Sequence, residues 1–207
     1  MIAIVDYGLG NVSAFLNVYK RLNIEAFVAS NKEELVNAQK ILLPGVGGFD
    51  QAMFLLENSG MKELLNELVL EKEVPVLGVC VGMQIMAQSS DEGSSEGLNW
   101  IKGKVKSLKS QPVFERLPLP HMGWNDVSLK SNDALLTGLK NKPQFYFLHS
   151  YHFVCKDENN SIGTSEYGVN INCIVKSKNI YGVQFHPEKS HHNGISLLKN
   201  FSNLNHA

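Results

Sequence analysis

Along the first eighty positions, short continuous apolar runs alternate with stretches in which apolar residues recur every three or four places. Residues 2–5 (IAIV), 24–28 (IEAFV), 40–43 (KILL) and 74–79 (VPVLGV) have the length and branched character of buried strands. Between them, residues 12–22 read as an amphipathic helix with Asn11 in the cap position, and helical periodicity returns over 49–57 and 60–70. Ser30 and Glu33 have the spacing of a capping box, which predicts a helix from about residue 31. Strands that are apolar on both faces and separated by helices predict a mainly parallel sheet with helices on both sides.

Beyond Gly97 the texture changes. Residues 102–108, 122–129, 144–151, 162–166, 171–176 and 180–185 read as strands, with few helical intervals before a closing helix over 194–203. This predicts an antiparallel extension of the same sheet. The polar segments 89–97 and 156–161 read as surface loops, and with no linker in view residues 1–207 are expected to form a single domain. Ligands of open α/β sheets gather at the carboxyl ends of parallel strands, here residues 6–11, 44–49 and 80–84.

Composition narrows the classes of function. A chain of 207 residues that is 43% hydrophobic can bury a substantial core, and 19 Lys+Arg against 20 Asp+Glu give a formal charge of −1, which argues against a nucleic-acid partner. Three cysteines without C-x-x-C spacing suggest reduced thiols rather than a disulfide framework or zinc knuckle. No apolar stretch approaches the roughly 20 residues that span a bilayer, and the N-terminal MIAIVDYGLG lacks a basic n-region, so the expectation is a soluble cytoplasmic protein with no membrane contact. The histidines and carboxylates show no zincin spacing, and neither a metal nor another cofactor is expected.

Gly78-Val79-Cys80-Val81-Gly82 is a G-x-C-x-G, the thiol analogue of the nucleophile elbow, preceded by the predicted strand VPVLGV and followed by MQIMA, read as a helix. A thiol at a helix N-terminus meets unpaired N–H groups that favour thiolate. Cys155 and Cys173 have no such setting and read as small buried apolar residues. A cysteine nucleophile needs a base and an orienting group, and Phe185-His186-Pro187-Glu188 offers both, since two residues of extended chain return Glu188 to the side of His186. Alone, His186 would read as an ordinary strand-end histidine. His149 and His152 fall in a predicted strand at opposite parity, and His191, His192 and His206 read as surface residues.

With these two motifs the sequence resembles the class I, triad-type glutamine amidotransferases. The resemblance implies a flavodoxin-like three-layer fold, attack by Cys80 on the side-chain amide of L-glutamine with His186 and Glu188 completing the triad, and a γ-glutamyl thioester. Oxyanion donors are available from the Val81 N–H and from the loop Pro44-Gly45-Val46-Gly47-Gly48. By the resemblance that loop holds oxyanion and substrate, giving Val46, Gly47 and Gly48 a role. Gln84, one helical turn past Cys80, could face substrate or pack within its helix.

Asp6-Tyr7-Gly8-Leu9-Gly10-Asn11, the P-G-V-G-x-F of 44–49, Pro120-His121-Met122-Gly123-Trp124-Asn125, Tyr146-Phe147-Leu148-His149-Ser150-Tyr151 and Gly182-Val183-Gln184-Phe185-His186-Pro187-Glu188-Lys189-Ser190 narrow the resemblance to the glutaminase subunits of imidazole glycerol phosphate synthase. This implies His149, Ser150 and Tyr151 in the glutamine pocket. It also implies a heterodimer with a cyclase subunit that Asn11, Met122, Gly123, Trp124, Asn125 and Lys189 meet. Trp124 reads equally well as core. The S-H-x-x-G of residues 190–194 instead resembles paralogues serving surface-polysaccharide amino-sugar synthesis, and Val81, 89–97 and Asn99-Trp100-Ile101 depart from the common form. Two other classes compete: a cysteine hydrolase of the elbow type, which has no need of PHMGWN, and a flavodoxin-like nucleotide binder using Gly8-Leu9-Gly10, where Ser13 stands in place of a third glycine.

Overall fold

The structure, a computed structural model, describes residues 1–204; His206 lies outside them. Its strands are β1 (Ile2–Val5), β2 (Ala26–Ala29), β3 (Lys40–Gly45), β4 (Val76–Cys80), β5 (Ser89–Ser90), β6 (Gly103–Ser107), β7 (His121–Asp126), β8 (Ser128–Leu129), β9 (Gln144–His149), β10 (Tyr151–Cys155), β11 (Ser161–Tyr167), β12 (Val169–Ser177) and β13 (Ile180–Val183). The helices are α1 (Val12–Arg21), α2 (Lys32–Leu35), α3 (Phe49–Asn58), α4 (Lys62–Asn66), α5 (Val81–Gln84) and α6 (His191–Asn203).

The main sheet runs β2-β1-β3-β4-β13-β12-β10-β6-β5, with β11 pairing β12 and β8. From β2 to β13 every pair is parallel, and from β13 through β12 and β10 to β6 the pairs are antiparallel. The parallel strands are continuous apolar runs because they are covered on both sides: Ile4, Ile41, Leu42, Leu43, Val76, Leu77 and Val183 are fully buried. β13 is therefore the hinge of the architecture. It lays the C-terminal motif beside β4 in register, with Val183 opposite Val79.

Three expectations are corrected. The antiparallel strands do not all extend one sheet, for the predicted strand 144–151 breaks at Ser150: β9 pairs only with β7 as a separate ribbon, while β10 joins the main sheet between β12 and β6. The cap before α2 is Asn31 rather than Ser30. Asn31 Oδ1 accepts the Glu34 N–H at 2.9 Å, and the Glu34 carboxylate accepts the Ser30 N–H at 2.7 Å, a reciprocal box displaced by one residue. The helix after Cys80 stops at Gln84 instead of continuing through MQIMA. The carbonyls of Ile85, Met86 and Ala87 accept from the N–H groups of residues 98–101, so a returning loop replaces the next helical turn. Asn11 caps α1 as its sequence suggested, accepting the Ala14 N–H at 3.1 Å.

Candidate active site

β4 ends on Cys80, whose φ of 55° and ψ of −112° lie where side-chain-bearing residues are rare. Such a conformation costs on the order of 1–3 kcal/mol and persists only where packing enforces it. Here the enforcement is close backbone approach, since a Cβ on Gly82 would fall 1.9 Å from the Leu43 carbonyl oxygen and one on Gly78 would fall 2.6 Å from the Gly82 oxygen. The elbow thus presses directly on the end of β3, which runs on into the glycine-rich loop. A one-turn α5 supplies little macrodipole, which shifts the burden of stabilising a sulfur anion from the helix onto side chains around the thiol.

His186, just beyond β13, is one of those groups. Its Nδ1 lies 2.9 Å from Glu188 Oε1, both side chains being 4% exposed; Glu188 reaches it from a 3-10 turn over Pro187–Lys189 rather than from the extended chain that the sequence predicts. The second carboxylate oxygen, Oε2, is buried without a hydrogen-bond partner among the described residues, so Glu188 acts on the imidazole through Oε1 alone. Burial alone would push His186 down, but hydrogen bonding to Cys80 and Glu188 and their charges outweigh it and raise the imidazole to about 9. The protonated ring is favoured between sulfur and carboxylate, as in a nucleophile–base–orienter array. Tyr7, buried beside the thiol, donates to the Pro44 carbonyl at 2.8 Å, and its phenol is raised by burial and by the Cys80 charge.

The thiol opens into a cavity of about 290 Å³ lined by Val46, Gly47, Val81, Gln84, Glu92, Pro120, Leu148, His149, Ser150, Tyr151, His186 and Lys189. All the predicted pocket residues except Gly48 stand in this wall. Gly48 instead opens α3 from an extended conformation, and the Phe49 N–H behind it donates to Glu92 at 2.8 Å. Glu92 is a further wall residue, supplied by the polar segment whose composition predicts a surface loop. That segment is tied down by Asp50, which accepts the Ser94 and Ser95 N–H groups at 3.0 and 2.9 Å. These hydrogen bonds lower the Asp50 carboxyl. Cys155 is pushed up to about 12, by burial first and by Asp157, and Cys173 is raised by burial; neither lines the cavity.

The ribbon β7–β9 forms one side of the site. His149 Nδ1 donates to the Tyr151 carbonyl at 2.8 Å, leaving Nε2 to accept from His121 Nδ1 at 2.9 Å, and Asn125 Nδ2 completes the row on His121 Nε2 at 3.1 Å. Burial drives His121 down to about 4; burial, with the neighbouring histidines, drives His149 to about 3, so both rings stay neutral. Asn125, predicted at a partner surface, turns inward and also donates to the Glu166 carbonyl. Met122 and Trp124, of opposite parity, point out and are 64% and 46% exposed. Trp124 is not core; it stacks on His191 at 5.1 Å between centroids, and Lys189 lies over Tyr146 at 5.8 Å. Among the described residues no group of His, Cys, Asp and Glu side chains is arranged to hold a metal ion.

A nucleophile elbow at the carboxyl edge of a parallel sheet, backed by His and Glu from the segment that follows the neighbouring strand, defines a class of protein to which this chain's sequence also leads. The family described as Glutamine amidotransferase class-I matches residues 3–204, and the chain belongs to that family. A crystal structure of a glutamine amidotransferase superposes with a TM-score of 0.75 at 18% identity over 99% of this chain and all of the other, which supports the fold alone. The structure of PurLQS from Thermotoga maritima superposes with a TM-score of 0.72 at 19% identity, covering 98% of this chain and 97% of that one.

Within the family the chain falls in a narrower branch. It is 53% identical to imidazole glycerol phosphate synthase subunit HisH of Bdellovibrio bacteriovorus, and 50% identical to the subunit of that name from Leptospira interrogans; each match spans 99% of this chain and all of the relative. It belongs with these HisH subunits.

Proposed function

We propose that this chain is the glutaminase subunit of an imidazole glycerol phosphate synthase, acting in histidine biosynthesis in the cytoplasm. It hydrolyses L-glutamine and passes the ammonia to a (β/α)₈ cyclase subunit, its partner in a heterodimer, which converts PRFAR to imidazole glycerol phosphate and AICAR. The observation that carries the reading is that Cys80 and His186 line one cavity with Val46 and Gly47, with Glu188 hydrogen-bonded to His186 behind them. The names of the relatives supply the pathway.

In this mechanism His186 already holds the Cys80 proton as imidazolium while the thiolate Sγ attacks the amide carbon, and N–H groups of Val81 and the Val46–Gly47 loop receive the developing oxyanion. His186 then protonates the leaving nitrogen, releasing ammonia and leaving the thioester. Water, deprotonated by His186, attacks the thioester carbon and the C–S bond breaks with its electron pair on sulfur. Glu92 is placed to pair with the α-ammonium of the substrate. Because ammonia is mostly protonated in neutral water, it must move through a protected interior, and the outward Met122 and Trp124 with Lys189 offer the partner an apolar and cationic contact beside the cavity.

The names of the relatives weigh against the polysaccharide paralogues, and the S-H-x-x-G segment has a local explanation within this chain. Ser190 accepts the Tyr146 N–H and donates to the His186 carbonyl, His191 stacks on Trp124, and a Cβ on Gly194 would meet the Pro187 oxygen at 1.8 Å. The test is co-purification of the tagged chain followed by assay. A cyclase should co-purify and the complex should hydrolyse glutamine, with Cys80→Ala abolishing hydrolysis. Recovery of a different synthetase, or an active Cys80→Ala complex, would overturn the reading.

A further inference from the structure

Gln184 is fully buried, two residues before His186, and its side-chain nitrogen lies 3.8 Å from Cys80 Sγ. Which end of this amide faces the sulfur is decided by a chain of contacts that starts on the backbone. The Tyr151 carbonyl can only accept, so the Gln84 atom 3.1 Å from it is the nitrogen. That same nitrogen lies 3.0 Å from Gln184, and since an amide NH₂ can only donate, the Gln184 atom there is the oxygen. The Gln184 NH₂ group is left pointing at the thiol. Its backbone is held as well, the N–H donating to the Cys173 carbonyl at 2.9 Å.

This arrangement uses both Gln84 protons, so Gln84, although it lines the cavity, keeps no amide proton for a substrate. Its task is to hold Gln184. We propose that Gln184 is a fourth catalytic residue, a neutral N–H donor to Cys80 Sγ that favours the thiolate, with Gln84 as the positioning residue that keeps the amide from flipping. The donor serves twice. It supports the anion while His186 holds the thiol proton, and again when thioester hydrolysis returns the C–S electron pair to sulfur. One short segment supplies this set: Gln184 and His186 follow directly on β13, and a 3-10 turn over Pro187–Lys189 brings Glu188 back onto His186.

The proposal rests on Cys80 being the nucleophile, and the test separates the two. The titratable groups around the thiol are Tyr7, Glu92, His149, His186, Glu188 and Lys189, and none is altered by Gln184→Met, which keeps the volume and removes the donor. Alkylation of the full chain by iodoacetamide, followed by mass spectrometry of the Cys80, Cys155 and Cys173 peptides across pH, reads thiolate directly. The midpoint for Cys80 should rise by about 0.5–1 pH unit in Gln184→Met, that is, roughly three- to tenfold less thiolate below it. A smaller rise is expected for Gln84→Met, in which the amide is free to turn.

An unmoved midpoint with selective alkylation of Cys80 would overturn the role of Gln184 and leave the nucleophile standing; wild-type alkylation without preference for Cys80 would overturn both. Should Gln184→Met fail to fold, nitrogen-15 spectra of the wild-type chain decide. The Gln184 side-chain amide protons should shift with the same midpoint as alkylation, and an amide that does not respond would refute the contact.

Discussion

Gly82→Ala tests whether the elbow is held by contact with the end of β3. The added methyl would lie 1.9 Å from the Leu43 carbonyl oxygen, 2.9 Å from its carbon and 3.2 Å from the Pro44 carbon. Since these are backbone atoms, no rotamer relieves the clash, and β3 must separate from the elbow by about 1.5 Å to restore ordinary contact. Overfilling of a packed interior costs about 1–3 kcal/mol, and opposition by backbone places this substitution near the upper end. For a chain of this size about 3 kcal/mol lowers Tm by roughly 6–12 °C. The same displacement moves Val46 and Gly47 away from Cys80, and about 1 Å of misplacement costs on the order of 100-fold in rate. Gly48→Ala is the control: its φ is −96° and the methyl would meet Glu92 at an ordinary 3.7 Å, so a loss under about 1 kcal/mol is expected. Thermal unfolding of the free chain and glutamine hydrolysis with saturating partner measure both effects. A Gly82→Ala chain melting within about 2 °C of wild type with undiminished hydrolysis would refute the reasoning.

Glu188→Gln removes one of the two groups that raise His186 to about 9, so the imidazole should titrate at a lower pH by proton NMR, with hydrolysis reduced about 10²–10⁴-fold. Glu92→Gln should raise KM for glutamine by roughly tenfold or more, as expected for loss of a charge-assisted hydrogen bond, with a smaller change in kcat under steady-state assay. Trp124→Ala should weaken partner binding by about 2 kcal/mol or more in calorimetry while leaving Tm of the free chain nearly unchanged, because the ring is 46% exposed. His121 and His149 are held below the unfolded value, so the folded chain binds fewer protons and loses stability as pH falls below about 6.5, continuing towards their folded values of about 4 and 3. Two protons correspond to a slope of up to about 2.7 kcal/mol per pH unit, which denaturant unfolding at pH 6 and pH 5 would measure.

The sequence made the parallel half of the sheet legible because continuous burial writes itself as uninterrupted apolar runs: β1, β3 and β4 begin within two residues of their expected starts. It was less informative where tertiary contacts compete with local pattern. Residues 144–155 hold two strands of similar texture, and nothing local marks Ser150 as the point where the chain leaves the ribbon for the main sheet. MQIMA has good helical residues, yet hydrogen bonds from residues 98–101 capture its carbonyls. Glu92 carries no signal either, because a carboxylate in a polar loop looks alike whether it faces solvent or a pocket.

Period-two reading, carried further, would have recovered more of the site. In Q-F-H, Gln184 and His186 lie at the thiol while Phe185 turns the other way onto Phe145, 3.9 Å between ring centroids; the alternation ends there, because Glu188 sits in a 3-10 turn. In H-M-G-W-N, His121 and Asn125 turn inward to the row ending at the Tyr151 carbonyl, and Met122 and Trp124 turn outward. His121 is therefore recoverable from parity alone once a neighbour of known role is fixed, whereas Gln184 lies beyond the end of β13 and carries no such signal. The alternation also has a mechanical consequence. The strand that presents Trp124 outward is paired, residue against residue, with the one that ends on His149, His121 lying opposite it. A partner seated on Trp124 would thus bear on the backbone that shapes the cavity, with a single layer of strand pairing between the outer surface and the cavity.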